Sequence, residues 1–155
     1  MSRDDIARRA HALYWERNIN CARVTLVCLS ELFDMELHSQ IWQAAVGMHG
    51  AGRFRAQCGL VEGALMFMGL YYAGHGVPDK DIVVACRRFA EAFTARFSSL
   101  TCRDLRPGGF TKNDPPHLCE TLTVDAIDFT AGFLRNHPPL QICTGPLSPP
   151  PSPTV

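Results

Sequence analysis

The stretch that decides the fold is GMHGAGRFRAQCGLVEGALMFMGL, residues 47–70. Glycines crowd toward Cys58, and an apolar run follows it. Glycine-rich chain without an apolar period reads as loop, so residues 47–52 are expected to be one. Residues 57–73 read as a helix that is apolar nearly all round, and such a helix belongs at the centre of a bundle. Gly59 and Gly63 lie one turn apart on it, which lets a second helix approach its backbone closely. Glu62 interrupts the run, which is in any case shorter than the roughly 18 apolar residues of a membrane span.

Working outward, helices appear on both sides. Ile6, Ala10, Leu13 and Tyr14 recur at helical spacing and predict an amphipathic helix over residues 3–17. Asn20 reads as the N-cap of a second helix, CARVTLVCLSELF, residues 21–33. A shorter helical piece, SQIWQAAV, ends at Gly47. Beyond the break at Gly74, His75, Gly76 and Pro78, Asp79 is placed to cap DKDIVVACRRFAEAFTARF. Ile82, Phe89, Phe93 and Phe97 are the inward stripe of that helix. A turn, TCRDL, and a loop, RPGGFTKNDPP, lead to a last helix at about residues 116–135. No internal repeat and no strand pattern competes. The prediction is an all-α, single-domain bundle of about five helices over residues 1–136. A proline-rich tail, residues 137–155, ends in PLSPPPSPTV, cannot pack a core and is expected to be disordered.

Composition narrows the class. The chain has 155 residues, 46% of them hydrophobic and 19% charged, enough for one core without staples. Fifteen basic and 15 acidic residues cancel, so nothing forecasts nucleic-acid binding. The local pairs Arg8-Arg9, Arg53/Arg55 and Arg87-Arg88 read as solvated faces. The N-terminus is charged and lacks an apolar signal core, so the expectation is a cytoplasmic protein without membrane insertion. Exposed apolar faces leave a homodimer open. Seven cysteines are many for such a chain. In a reducing compartment they point to metal ligands, redox thiols or core residues rather than a disulfide frame.

The helix map sorts the cysteines. Cys21 follows the predicted N-cap Asn20, and Cys58 opens the central helix. Cys102 follows Thr101 in a capping-box-like T-x-x-D, and Cys119 lies near a helix start marked by Asp114-Pro115-Pro116. At a helix start the free N–H groups and the dipole favour a thiolate, which is both nucleophile and metal ligand. Cys28 and Cys86 fall inside apolar helices and read as small buried hydrophobes. Cys143 lies in the tail.

Those four cysteines carry a resemblance. Asn20-Cys21-Ala22, the glycine-rich approach 47–52, Cys58-Gly59-x-x-x-Gly63, the run GALMFMGL and L-T-C-R-D-L, with Cys119 beyond, resemble the C_GCAxxG_C_C family over about residues 5–135. That is a group of small proteins taken to be redox-active and named for four cysteines in this order. The sequence departs from the pattern at Gln57, where glycine is expected before the cysteine, and at Leu60, where alanine is expected. The resemblance implies a redox or metal role without supplying a reaction.

Three chemistries follow. Cys21, Cys58, Cys102 and Cys119 are candidate ligands of an iron–sulfur cluster or another metal ion such as zinc. The loop amides around Gly50 and Gly52, with Gly59, would then turn toward sulfur, and His49 is a candidate extra ligand. Without metal, the same four are candidate redox thiols acting on an unidentified electron-transfer or redox partner protein. The expected couples are Cys102 with Cys119 and Cys21 with Cys58. Glu62, one turn after Cys58, is a candidate proton acceptor, or a rim carboxylate paired with Arg53 or Arg55. The third reading is a non-catalytic interaction module with a structural zinc, using PLSPPPSP as a polyproline ligand. The glycine stretch is no nucleotide loop, because it lacks the G-x-G-x-x-G order and no strand precedes it.

Overall fold

The computed structural model describes residues 2–142. Cys143 and the segment PLSPPPSPTV lie outside the described residues. Among those described, the fold is all-α: α1 (Arg3–Trp15), α2 (Cys21–Leu32), α3 (Ser39–Ala44), α4 (Gly50–Arg53), α5 (Gly59–Gly74), α6 (Asp79–Phe97), α7 (Cys102–Leu105), α8 (Glu120–Asn136) and α9 (Pro139–Ile142). Five of these, α1, α2, α5, α6 and α8, are long and build the bundle. The short ones dress its ends. No strand forms among the described residues, but one isolated antiparallel bridge joins Gln57 to Thr101.

The caps explain the boundaries. Ser2 and Asp5 form a reciprocal capping box on α1. The Asn20 carboxamide accepts from the Arg23 amide at 2.9 Å, starting α2 where the sequence predicts. It also donates to the Ala45 and Val46 carbonyls, at 3.0 and 2.9 Å, which ties the α3 end to the α2 start. The cap of α6 differs from expectation. Pro78 is the N-cap, and Asp79 is the first helical residue, where its charge still suits the dipole.

Helix α5 is the hub. Leu60, Val61, Ala64, Phe67, Met68 and Tyr72 are all buried. Each fully buried large side chain contributes about 1.5–3 kcal/mol. It packs on α2, α6 and α8. The α2 contact uses the two glycines: a β-carbon on Gly63 would stand 2.6 Å from the Ala22 carbonyl oxygen. On the far side, Phe89 and Phe93 of α6 meet Phe129 and Phe133 of α8 with ring centroids 5.4–6.1 Å apart. The predicted stripe is therefore a core seam.

Two expectations change. The stretch Gly50–Arg53 is not plain loop but a tight turn, with left-handed dihedrals at Ala51 (φ 52°) and Gly52 (φ 64°). The chain also stays ordered past His137. Tyr72 donates its hydroxyl proton to the His137 carbonyl at 2.9 Å, and Pro139–Ile142 form a helical turn on α6. Partner atoms in the bundle, not local composition, order these residues.

Candidate functional site

Each of the four cysteines stands at a helix start. Cys21 and Cys102 are the first residues of α2 and α7, and Cys58 and Cys119 are the N-caps of α5 and α8. The bundle brings these four starts to one place. The Cys58 amide donates to the Leu100 carbonyl at 2.8 Å, and the Cys102 amide donates to the Ala56 carbonyl at 2.7 Å. These two bonds flank the Gln57–Thr101 bridge and set Cys58 and Cys102 in register. Cys21, Cys102 and Cys119 line a single cavity of about 740 Å³. Cys58 is buried and is not part of its lining, and Cys28 and Cys86 lie elsewhere in the packed helices.

The thiols divide electrostatically, which corrects the expectation that all four starts favour thiolate. The neighbouring Cys58 thiol holds Cys102 down to about 7, against burial and Glu62 and with Arg106 and Arg55 helping. The same proximity to Cys102, then burial, pushes Cys58 well above the usual thiol range. Burial pushes Cys21 up to about 12, and the neighbouring Cys119 and Cys102 add to it. Burial also raises Cys119, against the pull of Arg106, whose guanidinium donates to Cys119 Sγ at 3.9 Å. Desolvation outweighs the helix-start amides wherever the sulfur is deep. The bridge sets the segments of Cys58 and Cys102 side by side, a juxtaposition outside the two expected couples.

The remaining candidates fall differently. Gly59 abuts Cys21, where a β-carbon would collide with the sulfur. Gly50 (φ +68°) leaves room for Cys102, whose Cβ would lie 3.4 Å from a Gly50 β-carbon. Gly52 (φ +64°) takes a left-handed position of the turn and has open space at its Cβ position. His49 lines the cavity. Its pKa is lowered by burial and by Arg53, and its Nδ1 is buried without a hydrogen-bond partner.

Glu62 forms no ion pair with Arg53 or Arg55 among the described residues. Burial raises its pKa, the amides of Ala51 and Gly50 oppose that rise, and one of its oxygens is buried unpartnered. The loop amides therefore turn toward this carboxylate. The amides nearest the sulfurs belong to helix starts: Cys21 and Ala22 at Cys21, and Leu60 at Cys58.

Among the described residues, no group of three or more His, Cys, Asp or Glu side chains is arranged to hold a metal ion. The four sulfurs share a neighbourhood without forming a ready cage.

Several residues escape the sequence reading. Arg53 and Arg55 line the cavity and are not simply a solvated face. Arg106 is anchored by Asp114 at 3.0 Å, and Phe110 lies under the Arg55 and Arg106 guanidinium groups at 4.4 and 4.7 Å. Tyr14 lines the cavity, and its hydroxyl hydrogen-bonds the Thr123 hydroxyl at 2.7 Å. Tyr14 was legible only as part of an apolar stripe, and R-P-G-G-F only as a loop.

The family model described as "Putative redox-active protein (C_GCAxxG_C_C)" matches residues 19–133, most of the chain and all four cysteines. No curated protein and no solved structure matches the chain. Among the described residues no helix is long and apolar enough to cross a membrane.

Proposed function

Because the chain belongs to the C_GCAxxG_C_C family, described as redox-active, we propose that it is a thiol–disulfide redox protein with Cys102 as nucleophile and Cys58 as resolving thiol. The observation that carries this reading is the Cys58–Cys102 pair, one thiol held protonated and the other held near 7. A thiol with a pKa near the ambient pH is the best attacking sulfur. The Cys102 thiolate attacks one sulfur of a partner's disulfide, and the other sulfur leaves as thiolate. The Cys58 thiol gives its proton to that leaving group and attacks Cys102 Sγ. The second partner sulfur leaves and is protonated by solvent. Two electrons pass to the partner, which becomes two thiols, and the protein gains a Cys58–Cys102 disulfide. Glu62 enters none of these transfers: its charge acts on Cys102 by opposing the thiolate.

The test is thiol counting with mass mapping after brief exposure to a disulfide oxidant. A Cys58–Cys102 crosslink, absent in Cys102→Ser, is expected. A crosslink confined to other cysteines overturns the assignment.

One observation favours a second reading, a metal or iron–sulfur centre on the same sulfurs. Cys21, Cys58 and Cys119 are raised in part by the negative charge of neighbouring thiols, a repulsion that a bound cation would remove. The side chains as placed make no ligand set, so no step is routed through a metal. Anaerobic purification with metal analysis separates the readings. Stoichiometric iron or zinc, lost in Cys58→Ser and kept in Cys86→Ser, selects the metal centre.

A further inference from the structure

The cavity beside the sulfurs carries more charge than a thiol exchange site needs. Its walls include Arg23, Arg53, Arg55 and Arg106 with His49, and no Asp or Glu. Asp114 neutralises Arg106 at 3.0 Å. Arg23 donates its Nε proton to the Trp42 carbonyl and lies over the Trp42 ring, which satisfies one edge of its fork and leaves the charge uncompensated. Arg53 and Arg55 enter no ion pair among the described residues. In a chain whose formal charges cancel, this is a local concentration of unpaired cations.

The backbone supports the same conclusion. Arg53 (φ 71°) and Arg55 (φ 68°) both sit in the left-handed region. A residue with a side chain loses roughly 1–2 kcal/mol there, and glycine loses almost nothing. Such strain persists where the surroundings fix it, and it gathers at binding and catalytic sites. Both residues line the cavity that Cys102 also lines, with the Arg55 guanidinium over the Phe110 ring of the same wall. A guanidinium binds carboxylate through two parallel N–H donors, which gives orientation as well as charge. A concave space of about 740 Å³ matches a small molecule and not an extended polymer.

We propose that this cavity binds a small disulfide bearing carboxylates and presents one of its sulfurs to Cys102. The inference rests on the thiol-exchange reading above and supplies its substrate class. The arginines hold the carboxylates. Cys102 forms the mixed disulfide and expels one carboxylate-bearing thiolate, which takes the Cys58 proton. Cys58 then attacks Cys102 and releases the second thiolate, which solvent protonates. One disulfide is reduced to two thiols and one is formed in the protein.

Calorimetric titration of the Cys102→Ser protein tests binding without turnover. The probes are dithiodipropionate, a dicarboxylate disulfide, and the uncharged hydroxyethyl disulfide. The dicarboxylate should bind at least about tenfold tighter. That preference should shrink as salt rises from about 50 to about 500 mM, and it should vanish when Arg53→Gln and Arg55→Gln are added. Equal binding of the two probes, or a preference that survives the arginine changes, overturns the proposal. The salt arm stands even if the arginine variants fold poorly. Arginine-dependent dicarboxylate binding, with no Cys58–Cys102 disulfide formed in the unsubstituted protein, upholds the anion cavity and overturns the exchange chemistry instead.

Discussion

Gly59 sits so close to Cys21 that any β-carbon placed on it would collide with the cysteine sulfur, and would also press within 2.8 Å of the Met48 carbonyl oxygen. The contact fixes the start of α5 against the start of α2.

Gly59→Ala should therefore destabilise the protein. Alanine gains up to about 1 kcal/mol in helix propensity, but overpacking against a sulfur and two backbone atoms costs typically 1–3 kcal/mol. Gly69→Ala in the same helix has open space at its Cβ position. It should stabilise by about 0.5–1 kcal/mol. Urea melts of the two variants read opposite signs, and a stabilised Gly59→Ala would disprove the packing argument.

Cys102 should be the first thiol to react. With its pKa held at about 7, alkylation should rise steeply as pH climbs through neutrality and level off by about pH 8–9. Cys58→Ala removes the thiol donor and weakens the hold on the Cys102 thiolate, so its alkylation profile should move alkaline. An unshifted profile would mean that Arg55 and Arg106 alone control Cys102.

Alkaline pH should lower stability under reducing conditions. Cys21 and Cys28 are pushed up to about 12, from an ordinary 9.0, by burial, and Cys58 and Cys119 are raised as well. A group raised in the folded state keeps its full contribution below the unfolded pKa and loses it as pH climbs toward the folded one. Cys102 acts oppositely: its contribution is present above 9.0 and is lost as pH falls toward about 7. The raised groups outnumber it. Melting temperature should fall from about pH 9 upward, and a flat profile to about pH 11 would show that the buried thiols ionise freely.

Asn20→Ala should cost about 1–3 kcal/mol. The change removes the cap at Arg23 and both bonds to the Ala45 and Val46 carbonyls. Because Asn20 precedes Cys21, the substitution should also make Cys21 more accessible to a thiol reagent in the native state. Asn20→Asp restores the cap acceptor without the two donors, so it should recover only part of the stability.

The sequence by itself determined the five long helices, because each is written in local terms: an apolar period, a capping side chain, a glycine or proline break. It also determined that four cysteines stand at helix starts, since caps such as Asn20 are visible one residue away. The close helix crossing at Gly59 and Gly63 was legible for the same reason. Which thiols stand side by side was not legible. Cys58 and Cys102 meet through two backbone hydrogen bonds between segments distant in sequence, and no local pattern encodes that register. The split of the thiols into one lowered and three raised likewise belongs to the tertiary structure. Burial and neighbouring charge act over a few ångströms of space, while the helix-start effect read from sequence is the same for all four. Arg53 and Arg55 make the point most plainly. As letters they are two surface charges in a loop, and only the tertiary structure, with both in left-handed conformation, makes them lining residues of the cavity.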